Sequence, residues 1–225
     1  MAETSQQISE IAARKAYVLK EIYKRSPDRW LFECVKTVDE HDRLNPVKLF
    51  PDKPYIRVLV KLFETIPILL VPKSRQMLVS WLFSALCLHE AQFYGHQRVI
   101  IMARKQDDSF ALIDRLRFMY AAQPKWLVDL CPLDRKMRDQ PIGHLFLGNG
   151  STIMGMPQGA DQIRGYTPSR VFMDEAAFQE EFEASYMATL PAIANGGKLV
   201  AVSSAGAGFF QSICGENRDY DSGIS

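Results

Sequence analysis

No stretch of this chain is apolar for the ~20 residues that a membrane-spanning helix needs, so the sequence offers no transmembrane segment. Its first ten residues are polar and lack the apolar core of a secretory signal. The four cysteines, Cys34, Cys87, Cys131 and Cys214, lie far apart and form no CxxC pair. They read as buried free thiols, which suits a reducing cytoplasm. There is no internal repeat and no low-complexity tract. No aromatic-basic stripe marks a nucleic-acid groove, and the standard phosphate-loop pattern GxxxxGK[ST] is not matched in full. What remains is an ordinary globular make-up: 225 residues, 47% apolar and 24% charged. That fits one large domain, or one domain with a small extension.

The net charge is only +1, but it is unevenly spread. Residues 1–138 hold 23 basic and 16 acidic side chains, a balance of +7, and residues 139–225 hold 4 and 10, a balance of −6. Two readings are open. One is ordinary surface variation. The other is a basic half that meets phosphates and an acidic half that meets a basic partner or a metal.

Taken in order, residues 6–24 carry Ile8, Ile11, Ala12, Val18, Leu19 and Ile22 at helical spacing. Ser26-Pro27-Asp28 breaks that helix, and Asp28 is placed to cap a second one, with Leu31, Cys34, Val35 and Val38 on one face and its end near His41. Residues 42–54 are turn-rich, and a helix is predicted over 55–64. Residues 98–103 (RVIIMA) predict a buried strand, and Asp107 or Asp108 a cap for the helix that follows. The run LFLGNGSTIMGM at 145–156 predicts a hairpin about Gly148-Asn149-Gly150. A polar loop is predicted over 157–169. Residues 170–175 predict another strand, then a helix carrying Phe178, Phe182, Tyr186 and Leu190. A last strand over 198–202 runs into Ser203-Ser204-Ala205-Gly206. Strands alternating with helices favour a parallel sheet.

Two stretches carry chemistry. Residues 66–80 (IPILLVPKSRQMLVS) pass from an apolar run through a polar turn into a helical pattern. Strand, turn and helix in that order are the layout of a phosphate-binding loop, in which backbone N–H groups and the helix dipole face an anion. The glycine and lysine of the standard pattern would fall at Leu78 and Val79; only the hydroxyl, Ser80, survives. Positive charge sits early instead, on Lys73 and Arg75. The plainer reading is a buried strand, a basic turn and a helix with Ser80 as its N-cap. The second stretch is Asp174-Glu175 at the end of an apolar strand. Neighbouring residues on a strand point to opposite sides, so one acid can hold a Mg²⁺ while the other orients and deprotonates a water. The competing reading is that both simply open the next helix.

Together, KSRQ-x-x-x-S, VFMDEAAF and VSSAG resemble the ATPase part of the large terminase subunit, the DNA-packaging motor of tailed bacteriophages and related viruses. That resemblance spans roughly residues 45–210. It implies an α/β, three-layer P-loop ATPase domain over 45–225 with a mostly parallel central sheet, preceded by a helical extension over 1–44. It implies that Lys73, Ser74, Arg75, Gln76, Met77, Leu78, Val79 and Ser80 cradle ATP, and that Ser80 and Asp174 hold Mg²⁺. Glu175 would activate the water. Arg164, next to Gly165, would act on a neighbouring subunit's nucleotide, and Ser203, Ser204, Ala205 and Gly206 would form the coupling motif. Residues 49–55 sit where the family contacts adenine, without the usual glutamine.

The implied partners are double-stranded DNA, a portal protein, a small terminase subunit and further copies of the chain in a ring, with no membrane, in the host cell cytoplasm. Many relatives have glycine where Leu78 stands. The family usually adds a nuclease domain, for which the 19 residues after Gly206 are too few, so no DNA cleavage is expected of this chain. Two other readings stay open: a helicase-like nucleic-acid remodeller, and a non-hydrolysing subunit that docks to a portal or DNA.

Overall fold

The protein is described here by a computed structural model covering residues 2–39, 41–74, 77–134 and 141–215, with the backbone alone over 2–9. Helices α1 (Ala2–Arg25) and α2 (Pro27–Cys34) lead into a two-stranded ribbon, β1 (Lys36–Val38) and β2 (Val47–Leu49), then α3 (Pro54–Thr65). The main unit follows as β3 (Ile68–Pro72), α4 (Val79–Phe93), β4 (Arg98–Ala103), α5 (Gln106–Ala121), α6 (Lys125–Leu130), β5 (His144–Phe146) and β6 (Thr152–Pro157). It closes with α7 (Ala160–Arg164), β7 (Arg170–Asp174), a 3-10 turn (Ala176–Phe178), α8 (Phe182–Ala194), β8 (Lys198–Ser203) and α9 (Phe209–Gly215).

The six-stranded sheet runs β3-β8-β7-β4-β6-β5. Every pair is parallel except β5 with β6, the hairpin edge. The α/β fold with a mostly parallel sheet is therefore as the sequence predicts. Side-chain alternation divides the core into two layers. On one face Leu69, Val71, Val99, Ile101, Phe172, Val200 and Val202 pack under α1–α6. On the other Ile100, Met102, Val171, Met173, Leu199 and Ala201 pack under α7–α9. Strands buried on both faces read as continuous apolar runs, which is why β4, β7 and β8 were legible.

Helix α4 is buried around nearly its whole circumference, from Val79 to Phe93, as a helix apolar on all sides must be. Its far end is closed by the hairpin. Asn149 Nδ2 donates to the carbonyls of Ala91 (2.9 Å), Gln92 (3.2 Å) and Tyr94 (3.1 Å), satisfying acceptors that a helix end leaves orphaned. The neighbouring Gly150 has φ +83, and a Cβ there would lie 2.6 Å from His96 Nδ1, so the turn needs glycine.

Five local expectations are corrected. The second helix stops at Cys34; Lys36–Val38 is a strand, paired antiparallel with Val47–Leu49, because residues 35, 37 and 38 are β-branched and a partner is available. The N-cap of α4 is Leu78, not Ser80, which lies in the first turn. The N-cap of α5 is Lys105, with Asp107 and Asp108 in the first turn. The loop over 157–169 contains α7, and Phe178 ends a 3-10 turn rather than lying in α8. The sheet interleaves strands of both charge halves, but its helices divide with the charge, α1–α6 from the basic half on one face and α7–α9 from the acidic half on the other. Among the described residues no helix is long and apolar enough to cross a membrane.

The cap on α4 has a measurable weight. Asn149→Ala removes that donor from the partly buried carbonyls of Ala91 and Gln92, while Tyr94 O keeps Ser151 Oγ at 2.7 Å, and is expected to lower unfolding free energy by about 1–3 kcal/mol. Urea unfolding with an unchanged m-value is the check; a loss under about 0.5 kcal/mol would mean that water replaces the amide.

Candidate nucleotide and phosphate site

Three strands end side by side: Pro72 of β3 pairs with Ser203 of β8, and Val202 of β8 with Asp174 of β7. Their carboxyl ends are where an open α/β sheet binds ligands. The β3–β8 ladder continues one step further through Lys73 N–H to Ser203 O at 2.9 Å. This fixes the start of the loop over the sheet.

The side chains then converge. Lys73 Nζ lies 2.8 Å from Glu175 Oε1, with the lysine side chain 9% exposed and the glutamate 42%. The other glutamate oxygen, Oε2, accepts from Ser204 Oγ at 3.1 Å, Ser204 N at 3.3 Å and Ser203 Oγ at 3.5 Å. Ser80 Oγ donates to Asp174 Oδ1 at 2.8 Å. That partnering follows from parity: Asp174 stands on the same side of β7 as Phe172, the side covered by α4. Glu175 follows it in the left-handed region (φ 50, ψ 46), its N–H donating to Asp174 Oδ1 at 3.1 Å. Ala177 N donates to Ser203 Oγ at 3.0 Å and Gln179 Nε2 to Asp174 O at 2.8 Å, so the strained turn is braced from both sides.

The two acids are held in different electrostatic states. Burial raises the Asp174 pKa above the ordinary carboxylate value, only partly offset by the Ser80 hydroxyl and Lys73. Burial pushes Glu175 the same way, but the Lys73 ammonium and the Ser204 N–H and O–H outweigh it, and its pKa is lowered.

The cleft over these groups has a volume of about 760 Å³ and runs from Lys73, Leu78 and Ser80 to the β1–β2 ribbon at Val38 and Leu49. That size suits a mid-sized cofactor or nucleotide. Leu49 and Pro51, in the segment expected near adenine, line it. Met77 belongs to its wall, and its carbonyl accepts from Tyr55 O–H at 3.0 Å, which ties the loop to α3. Leu78 adopts φ 55, ψ 14, a left-handed conformation that glycine enters freely and leucine enters at a cost of about 1–2 kcal/mol. The loop therefore keeps the backbone path that glycine would serve. Val79, where the standard pattern has lysine, is buried. Ser74 is exposed, and Arg75 and Gln76 lie outside the described residues. Ala205 is exposed, while a Cβ at Gly206 would lie 2.9 Å from Ala177 Cβ, so this position packs closely on the 3-10 turn.

Arg164 is not part of this constellation. It sits on α7 and pairs with Asp161 at 2.9 Å, both side chains well exposed (70% and 88%). Its groove is shared with Gln97, Thr152 and Ser169, at the opposite, amino ends of the strands. Conversely, the structure adds residues that periodicity alone did not mark. Arg115 of α5 lines the cleft beside Asp174 and Glu175, its guanidinium 4.7 Å from the Trp81 ring. Tyr55 braces the site from α3, and Gln179 from just past the 3-10 turn. Nothing in their local sequence signals those contacts.

Among the described residues no three His, Cys, Asp or Glu side chains form a metal cluster. Mg²⁺ does not need one: it is commonly held by one or two protein oxygens, with waters and phosphate oxygens completing the shell. The buried Asp174 carboxylate with the Ser80 hydroxyl fits that donor set.

No family model matches the chain. Solved structures do. The large terminase of bacteriophage HK97 superposes with a TM-score of 0.63 at 12% identity, over 89% of this chain and 42% of that one. The large terminase ATPase domain of Thermus phage P74-26 gives a TM-score of 0.51 at 17% identity, over 73% of this chain and 74% of that one. The chain thus spans less than half the length of the HK97 protein. Its fold is that of the ATPase domains of phage large terminases, a P-loop α/β fold with a six-stranded, mostly parallel sheet.

Proposed function

We propose that this chain is the ATP-hydrolysing motor domain of a viral DNA-packaging terminase. The observation that carries the reading is the linked set Lys73–Glu175 and Ser80–Asp174, joined through adjacent residues at the tips of neighbouring strands. It supplies a cation for phosphate, a hydroxyl and carboxylate for Mg²⁺, and a second carboxylate for water.

Phosphoryl transfer to water is chiefly positioning and charge stabilisation. The loop over 73–80 would bind the phosphates with Lys73, and with Arg75 as a proposed second cation. When ATP arrives, Lys73 exchanges Glu175 Oε1 for a phosphate oxygen. That frees Glu175 to take the proton of a water whose oxygen bonds the γ-phosphorus as the bond to the bridging oxygen breaks. Mg²⁺, held by Ser80 and Asp174, would neutralise phosphate charge. Ser203 and Ser204 already hold Glu175 Oε2. A change in Glu175 is therefore felt at the tip of β8, and residues 203–206 would relay it. Arg164, at the other end of the strands, would serve a neighbouring copy's nucleotide. The wider assembly we propose comprises double-stranded DNA, a portal protein, a small terminase subunit and a homo-oligomeric ring, working in the host cell cytoplasm to move DNA into a procapsid. One observation favours a second reading, a non-hydrolysing docking subunit: Leu78 occupies the left-handed position that relatives give to glycine.

Turnover decides between them. Glu175→Gln is expected to keep ATP affinity within a few-fold and to lose turnover by roughly 10²-fold or more. Wild-type protein with no turnover, even with DNA present, would leave the docking reading. A second test uses pH. A carboxyl whose pKa is raised holds its proton further up the pH scale, and that proton competes with a cation. Calorimetric Mg²⁺ affinity, with a non-hydrolysable ATP analogue bound, is expected to fall as pH is lowered from 8 towards 5. Asp174→Asn should weaken Mg²⁺ binding and flatten that slope; an unchanged slope would place the cation elsewhere.

A further inference from the structure

Two clefts meet at the carboxyl ends of the strands. The first, of about 760 Å³, holds Lys73 and Ser80 and reaches the β1–β2 ribbon. The second, of about 510 Å³, lies against α5, whose Asp108, Ala111, Leu112 and Arg115 line it at helical spacing. Among the described residues three line both: Asp174, Glu175 and Arg115. Arg104 also lines the second cleft, but it is exposed and does not line the first.

Arg115 is held where the clefts join. Its guanidinium lies over the Trp81 ring, 4.7 Å from the centroid. Phe118, three residues further along α5, meets the same ring edge-on at 6.2 Å. Trp81 directly follows Ser80 on α4, so one turn of α5 grips the neighbour of that hydroxyl. A cation resting on an aromatic face has less freedom to lose when it meets an anion. Its planar fork suits a pair of phosphate oxygens. The charge also reaches the acids: it favours the ionised form of Asp174, as Lys73 does, against the burial that dominates there.

We infer that Arg115 is the chain's own cation for the terminal phosphate of ATP. This rests on the ATP reading above and adds one residue to that site. Position along the cleft carries it. Leu49 and Pro51, in the segment expected near adenine, line its ribbon side. Ser80, Asp174 and Glu175, proposed for Mg²⁺ and the water, mark where the γ-phosphate belongs, and Arg115 stands with them. Lys73 follows β3 and Arg115 lies on the helix after β4, and in the sheet β3 and β4 flank the pair β8-β7. Two cations thus approach the acidic tip from opposite sides. Arg115 donates N–H bonds to the γ-oxygens, over which charge spreads during transfer. ADP lacks those oxygens, so Arg115 distinguishes ATP from ADP.

Calorimetry on the whole chain, with Mg²⁺ present, compares a non-hydrolysable ATP analogue with ADP. Arg115→Met is expected to bind the analogue about tenfold or more weakly, with ADP affinity kept within about twofold. Arg115→Lys keeps the charge and loses the fork, and should fall between Arg115→Met and wild type. Should Arg115→Met fail to fold, Arg115→Lys decides: an analogue-to-ADP affinity ratio reduced by about threefold or more supports the assignment. An unchanged ratio in the folded variants, or an equal loss for both nucleotides, would overturn it and leave Arg115 as a wall of the cleft packed on Trp81. Wild-type protein that binds neither nucleotide would sink the ATP reading and this assignment with it, a result distinct from binding that ignores Arg115.

Discussion

Lys73 and Glu175 meet at 2.8 Å across the tip of β8, and the geometry of the site depends on that bond. It joins the loop that follows β3 to the acidic strand end without help from the position where the standard phosphate-loop pattern puts its lysine. That position is Val79, which points into the core. The cation instead springs from the last step of the β3–β8 ladder, where its backbone is already hydrogen-bonded to Ser203. A side chain fixed at its root by a sheet is pre-organised, so less conformational freedom is lost on meeting a phosphate. The bond also sets the resting state of the acid: Glu175 is held ionised and occupied until something competes for Lys73.

Strain collects around that bond. Leu78 and Glu175, on the two sides of the cleft, both have positive φ without being glycine. Glu175 is over-determined through the turn by Asp174, Ser203 and Gln179, and Leu78 follows Met77, whose carbonyl accepts from Tyr55. Such conformations persist at functional sites because the surroundings enforce them. Here they aim the loop and the acid at one volume. The far ends of the same elements are anchored as firmly, α4 by Asn149 and β7 by Arg170, whose side chain bonds Glu90 at 2.8 Å and Phe63 O at 3.1 Å. A site resting on elements secured at both ends is stiff where the chemistry needs it.

How much of this was legible in the sequence follows from the range of each interaction. The strands β4, β7 and β8 and the hairpin at Gly148-Asn149-Gly150 were readable because burial on both faces and turn chemistry are local signals. So was the order of loop, acidic tip and serine tip, and the fold brings Lys73, Ser80, Asp174, Glu175, Ser203 and Ser204 to one place. Residues 36–38 do not continue the helix that Val35 and Val38 fit by spacing, because their strand depends on its partner Val47–Leu49. The plainer reading of Ser80 as a cap fails because its partner, Asp174, the residue with which the resemblance groups it, is 94 residues away. Arg115 and Tyr55 reach the site from helices whose local patterns report only helix, and Gln179 turns back to it from just past the 3-10 turn. The split of charge along the chain follows the two helical layers, although the sheet between them interleaves strands of both halves.

The central claim is that Lys73, from the strand tip, does the work of the missing loop lysine. Calorimetry of ATP binding to Lys73→Met, with the fold verified by circular dichroism and thermal unfolding, addresses it directly. The account predicts that ATP affinity falls by about tenfold or more, the scale of one charge-assisted bond of 1.5–3 kcal/mol. An affinity equal to wild type in a folded Lys73→Met protein would contradict it, and would leave the Lys73–Glu175 bond as a structural tie alone.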